Sequence, residues 1–112
     1  MKLQAGSLTL ENQWLYFGDG RPPAKLTPKE AHLLAVLMKS PGQAVSRAKI
    51  MSEVWQTGYL GDTRTLDVHI CWLRQKLEDD PSNPQLLLTQ RGVGYELRPP
   101  PSIDPPVLSE HP

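Results

Sequence analysis

Asp62-Thr63-Arg64-Thr65-Leu66-Asp67-Val68-His69-Ile70-Cys71-Trp72-Leu73-Arg74-Gln75-Lys76-Leu77 is the stretch that decides the fold. Leu66, Ile70, Leu73 and Leu77 recur at intervals of four, three and four, which makes one narrow buried seam on an α-helix. Asp62 is a good N-cap for it, and Glu78-Asp79-Asp80-Pro81 ends it. That acidic run, beside a proline, reads as a solvated helix stop and not as metal or acid–base chemistry. A turn of about 100° per residue sets Arg64, Val68, Trp72 (or Cys71) and Gln75 opposite the seam.

Downstream, Leu86-Leu87-Leu88-Thr89 and Tyr95-Glu96-Leu97 flank Gln90-Arg91-Gly92-Val93-Gly94. Glycines at 92 and 94 permit positive φ, so this segment is expected to be a β-hairpin. Upstream, Ser46 opens a second helix with Ile50, Met51, Val54 and Trp55 as its inward stripe. Before it, Thr27-Pro28-Lys29-Glu30 starts a first helix. Thr27 caps, Pro28 suits the first turn and Glu30 completes a capping box. Leu33, Leu34, Leu37 and Met38 share its buried face, and Ser40-Pro41-Gly42 stops it. Residues 1–26 read as a small antiparallel sheet. Its pieces are Leu3-Gln4-Ala5, Leu8-Thr9-Leu10, Trp14-Leu15-Tyr16-Phe17 and a proline-damaged edge from Arg21 to Leu26.

The expected class is therefore α+β: a winged helix-turn-helix with an N-terminal antiparallel four-stranded sheet, three helices and a C-terminal β-hairpin wing. The domain is expected over 1–98, with the sheet at 1–26, the helices at 27–80 and the wing at 85–98. Six of the 14 residues of 99–112 are proline, so that tail is expected to be disordered. At 112 residues the chain supports one modest core. It has no apolar run long enough to span a membrane and no signal-peptide pattern at its start. A single cysteine, Cys71, precludes an internal disulfide and suits a cytoplasmic location. Twelve basic and twelve acidic residues cancel, so net charge gives no lead toward nucleic acid.

Three separated motifs carry a family resemblance. Leu26-Thr27-Pro28-Lys29-Glu30, Val45-Ser46-Arg47 and Val54-Trp55 resemble the first two helices of the OmpR/PhoB-type response-regulator effector domain. Arg64 to Ile70 followed by Leu73-Arg74-Gln75-Lys76-Leu77 resembles its recognition helix, and Thr89-Gln90-Arg91-Gly92-Val93-Gly94-Tyr95 resembles its wing. The match runs from about Leu8 to Leu97. The resemblance implies sequence-specific binding of double-stranded promoter DNA, with the third helix in the major groove and the wing in the minor groove. It also implies that Gln56-Thr57-Gly58-Tyr59-Leu60-Gly61 is a loop contacting RNA polymerase. A receiver domain, phosphorylated by a histidine kinase, would precede the effector in the full regulator. No receiver fits in this length, so an excised domain is expected, monomeric alone and tandem on DNA. The chain departs from the family at Cys71 and Trp72, where basic residues are common, and at Ala48, where an acidic one is common.

The residues expected to touch DNA each have an alternative. Val68 and Trp72 can meet thymine methyls, or Trp72 can pack as core against the wing or sheet. Arg64, Thr65, His69 and Arg74 suit phosphates, while Arg74 could instead pair with Asp67 or Glu78. Arg91, beside Gly92, suits a narrow minor groove, or is a solvated turn residue. Thr89 donates to phosphate or serves as a strand residue. Trp55 is divided between core and phosphate, and Tyr95 belongs to the wing motif. A nucleophile with a nearby base, a phosphate-cradling loop and zinc-ligand spacing are all missing, so neither an enzyme nor a cofactor or metal is expected. The rival function is a winged-helix protein-interaction module without specific DNA binding.

Overall fold

The structure, a computed structural model, describes residues 2–55 and 64–101. Strands β1 (Lys2–Ala5), β2 (Leu8–Glu11), β3 (Trp14–Tyr16) and β4 (Ala24–Lys25) form an antiparallel sheet in that order. Leu3 faces Leu10, and Leu10 faces Leu15, across the ladder. The period of two buries Leu8, Leu10 and Leu15 and leaves Trp14 and Tyr16 on the outer side.

Helix α1 (Pro28–Met38) begins with the expected capping box. The Glu30 amide donates to Thr27 Oγ1 at 3.2 Å, and the Thr27 amide donates to Glu30 Oε1 at 2.9 Å. Helix α2 (Arg47–Val54) is capped by Ser46, whose Oγ accepts from the Lys49 amide at 3.1 Å. Trp55 is its C-cap, half-buried and packed against the core at the end of the inward stripe. Helix α3 (Arg64–Leu77) buries Leu66, Ile70, Leu73 and Leu77 as its seam. Helix α1 packs against both α2 and α3, and one apolar core joins the N-terminal sheet, the helices and the wing. Among the described residues no helix is long and apolar enough to cross a membrane.

The wing is larger than a hairpin. Strand β5 (Ala44–Ser46), between α1 and α2, pairs with β7 (Gly94–Leu97), which also pairs with β6 (Leu87–Gln90). Val45 lies opposite Tyr95, and Ser46 opposite Gly94. Three residues are too short to show a period, so this strand has no local signal. The two wing glycines also differ. Gly92 takes φ +80° at the tip, as a turn requires. Gly94 does not. A side chain there would collide with the Val45 carbonyl, so its role is the close approach of β5.

Two further expectations are corrected. Glu78 is no solvated stop: it is buried, and its carboxylate accepts from the amides of Gln85 (2.8 Å), Leu86 (2.9 Å) and Leu87 (2.7 Å). Three backbone donors leading into β6 would otherwise lack partners, which is why a charge is tolerated there. The start of the tail is ordered by contact: Pro99 and Pro100 are half-buried, and the Pro100 carbonyl accepts from the Ser7 amide at 3.0 Å. The expected Asp62 cap, the loop Gln56 to Gly61 and residues 102–112 lie outside the described residues.

Candidate nucleic-acid interface

The seam of α3 points into the core, so its two flanks meet the neighbouring elements. On the flank toward the wing, Asp67 accepts a forked pair of bonds from Arg47, at 2.8 and 3.1 Å, and a third from the Tyr95 hydroxyl at 2.6 Å. The Arg47 guanidinium beside Asp67 holds its carboxyl below the usual range; desolvation opposes this, and the Tyr95 bond assists it. The same pairing raises Arg47 further. Burial, followed by the bond to Asp67, pushes the Tyr95 hydroxyl up. Three elements, α2, α3 and β7, are thus joined at one carboxylate.

Two turns further along the same flank, Arg74 Nε donates to the Leu87 carbonyl at 2.9 Å and Nη2 donates to Thr89 Oγ1 at 2.9 Å. Its guanidinium also lies 5.9 Å from the Tyr95 ring centroid. Neither Asp67 nor Glu78 is its partner; it ties the helix to β6.

The opposite flank faces α1 and α2. Lys76 Nζ donates to the buried Glu30 carboxylate at 2.6 Å. Burial drives the Glu30 carboxyl up, yet the bonds from Lys76 and Thr27 leave it lowered overall. His69 is held between two tryptophans, with ring centroids 5.2 Å from Trp55 and 5.0 Å from Trp72. Its Nδ1 is 2.8 Å from the Thr65 carbonyl, which can only accept, so Nδ1 carries the proton.

Between these flanks lies the outward face. Val68 is 42% exposed and Trp72 is 48% exposed, so Trp72 does not belong to the core. Arg64, Thr65, Cys71 and Gln75 are exposed beside them. At the wing tip Arg91, Gly92 and Val93 are exposed, and Arg91 makes no hydrogen bond or ion pair among the described residues. Thr89 is exposed on β6, whereas Tyr95 is buried. Of the residues expected at the interface, Arg64, Thr65, Val68, Trp72, Thr89, Arg91 and Gly92 are therefore at the surface. His69 and Trp55 are half-buried at its edge. Arg74 and Tyr95 brace the wing from behind. The bracing pair Arg47–Asp67 joins residues 20 apart in the chain and has no local sequence signature. Its only trace in the sequence is an acidic residue on an exposed helix turn, which has many ordinary explanations.

A helix braced on both flanks and open between them, with a hairpin fixed alongside, is the working part of a winged helix. Comparison with known proteins agrees. Residues 20–97 match the family described as "Transcriptional regulatory protein, C terminal". The chain is 44% identical over 95 residues to the transcriptional regulatory protein AfsQ1 of Streptomyces coelicolor, covering 85% of this chain and 42% of that protein. It is 49% identical over 72 residues to SphR of Synechococcus elongatus, an alkaline phosphatase synthesis regulator, covering 64% of this chain and 28% of that one. The chain thus spans less than half the length of these relatives. The RstA DNA-binding domain of Klebsiella pneumoniae, crystallised with its RstA box, superposes with a TM-score of 0.76 at 29% identity, covering 88% and 97% of the two chains. The DNA-binding domain of CpxR from E. coli superposes at 0.71 with 33% identity, covering 88% and 96%. The chain belongs to the OmpR/PhoB-type family of C-terminal DNA-binding domains of transcriptional regulators.

Proposed function

We propose that this chain binds a promoter site by setting the outward face of α3 in the major groove and the wing tip in the adjoining minor groove. Transcription regulation by DNA binding within a two-component system is the family's role. The observation that carries the groove assignment is the exposure of Val68 and Trp72, at 42% and 48%, on a helix whose flanks are fully engaged. Apolar groups of this size on a solvated face mark a surface meant to be covered.

Arg64 and Thr65 at the start of α3, with His69, Trp55 and Thr89, are placed to contact phosphates and set the docking register. Arg91 beside Gly92 supplies the minor-groove cation. Arg74 and Tyr95 act indirectly, by fixing the wing. Within a longer regulator, a receiver domain phosphorylated by a histidine kinase would pair two copies on a direct repeat. The loop Gln56 to Gly61 would face RNA polymerase, all in the cytoplasm, and this chain alone would be monomeric.

The test is a mobility-shift titration against promoter fragments and scrambled duplexes across a range of salt. A sequence preference is expected, with affinity falling linearly in log salt as counterions are released. A chain that shows no salt-dependent preference for any duplex is a protein-interaction module instead. Replacing Tyr59 and Leu60 should spare DNA binding and reduce activated transcription; loss of DNA binding would make that loop structural.

A further inference from the structure

We propose that α3 reads two adjacent A·T pairs, with Gln75 on an adenine edge and Trp72 on a thymine methyl, and makes no guanine contact from its middle. This rests on α3 lying in the major groove. The charged side chains of the helix past its first residue are all engaged. Asp67 is held by Arg47 and Tyr95, Arg74 by Leu87 and Thr89, and Lys76 by Glu30. His69 is clamped by Trp55, Trp72 and the Thr65 carbonyl. The side chains left to face bases past the first turn are Val68, Cys71, Trp72 and Gln75.

Guanine offers two acceptors in the major groove and is read best by a cation with paired donors. Val68, Cys71, Trp72 and Gln75 include no such cation. The Gln75 carboxamide is exposed and makes no hydrogen bond among the described residues. It carries one acceptor and a donor group, which match the amino group and N7 of adenine. Trp72 offers a broad apolar surface, steadied by its contact with His69 at 5.0 Å. Three residues of helix advance about 4.5 Å, close to the roughly 3.4 Å between base pairs along one strand. Neighbouring pairs are therefore within reach of the two side chains.

The experiment selects bound duplexes from a random pool with the 112-residue chain at fixed salt, then probes the chosen site with base analogues and variants. Adjacent A·T pairs are expected beneath the helix. Gln75→Ala should erase a roughly 5- to 150-fold adenine preference at one pair only, and Gln75→Arg should move that preference to guanine. Uracil in place of the thymine facing Trp72 should weaken binding roughly 3- to 5-fold, the loss of one buried methyl. In Trp72→Ala that sensitivity should vanish while circular dichroism stays native. If Trp72→Ala does not fold, the Gln75 arm decides alone. G·C at both pairs, or indifference to uracil and to Gln75→Ala, overturns the base assignment and leaves DNA binding standing. Absence of any preferred duplex overturns the groove placement along with it.

Discussion

On the wing-side flank of α3, Asp67 and Arg74 hold five hydrogen bonds between them, at 2.6–3.1 Å. On the outward face of the same helix, Val68 and Trp72 stand open and Gln75 bonds to nothing among the described residues. The two regions are less than half a helical turn apart, yet one is saturated and the other is vacant. This helix separates its tasks by angle. Charges that fix the angle between helix and wing sit where neighbouring elements supply partners, and the groups left for a ligand are the ones without hydrogen-bond partners. A substitution on a flank should therefore act through stability and wing geometry, and one on the outward face through recognition alone.

The severest way to test that division is at the end of the flank. Glu78→Ala removes the acceptor of three amides, that of buried Leu87 among them, and should cost roughly 3 kcal/mol, measured by urea unfolding. A loss below about 1 kcal/mol would mean that water replaces the carboxylate and that the flank is less committed than its geometry indicates.

Asp67→Asn should come next, at about 1 kcal/mol, because the site is partly open to solvent. It should also change the pH profile. The Asp67 carboxyl is lowered in the folded state from an ordinary value of 3.8. The unfolded chain thus takes up its proton first as pH falls, so this contribution is complete above about pH 4 and lost below it. Glu30, lowered from 4.5, acts in the same sense. Tyr95, raised from 10.0, acts in the opposite one: its contribution holds below about pH 10 and is lost as pH rises through its folded value. Asp67→Asn should flatten part of the acid limb, and Tyr95→Phe part of the alkaline limb, in thermal melts across pH. Acid limbs that superpose for wild type and Asp67→Asn would show that the carboxylate gives no net stabilisation.

At the wing tip the effect should move from stability to binding. Arg91→Ala should leave the melting temperature unchanged, lower the salt slope by about one, and weaken binding most where the flanking duplex is A·T-rich and narrow-grooved. An equal loss on every flank makes Arg91 a plain phosphate contact. Trp72→Arg should likewise leave stability within about 0.5 kcal/mol of wild type. A sharply lower melting temperature there would return Trp72 to the core and erase the contrast between flank and face.

Local patterns carried most of the fold. The Thr27–Glu30 box, the Leu66-Ile70-Leu73-Leu77 seam and the alternation in β1 to β3 are readable because each depends on residues within a turn or a strand of one another. The exposed face of α3 was legible for the same reason, being the complement of its seam. What tertiary structure alone decided is every pairing between distant segments. Those pairings include β5 against β7, Gly94 beneath the Val45 carbonyl, Glu78 over the amides of 85–87, and Arg47 on Asp67. Each residue type there has a common local explanation: a turn glycine, a helix-ending acid, a surface arginine. A buried polar group is satisfied by whichever donor the folded chain brings within about 3 Å, and that identity exists only once the helices and both sheets have packed.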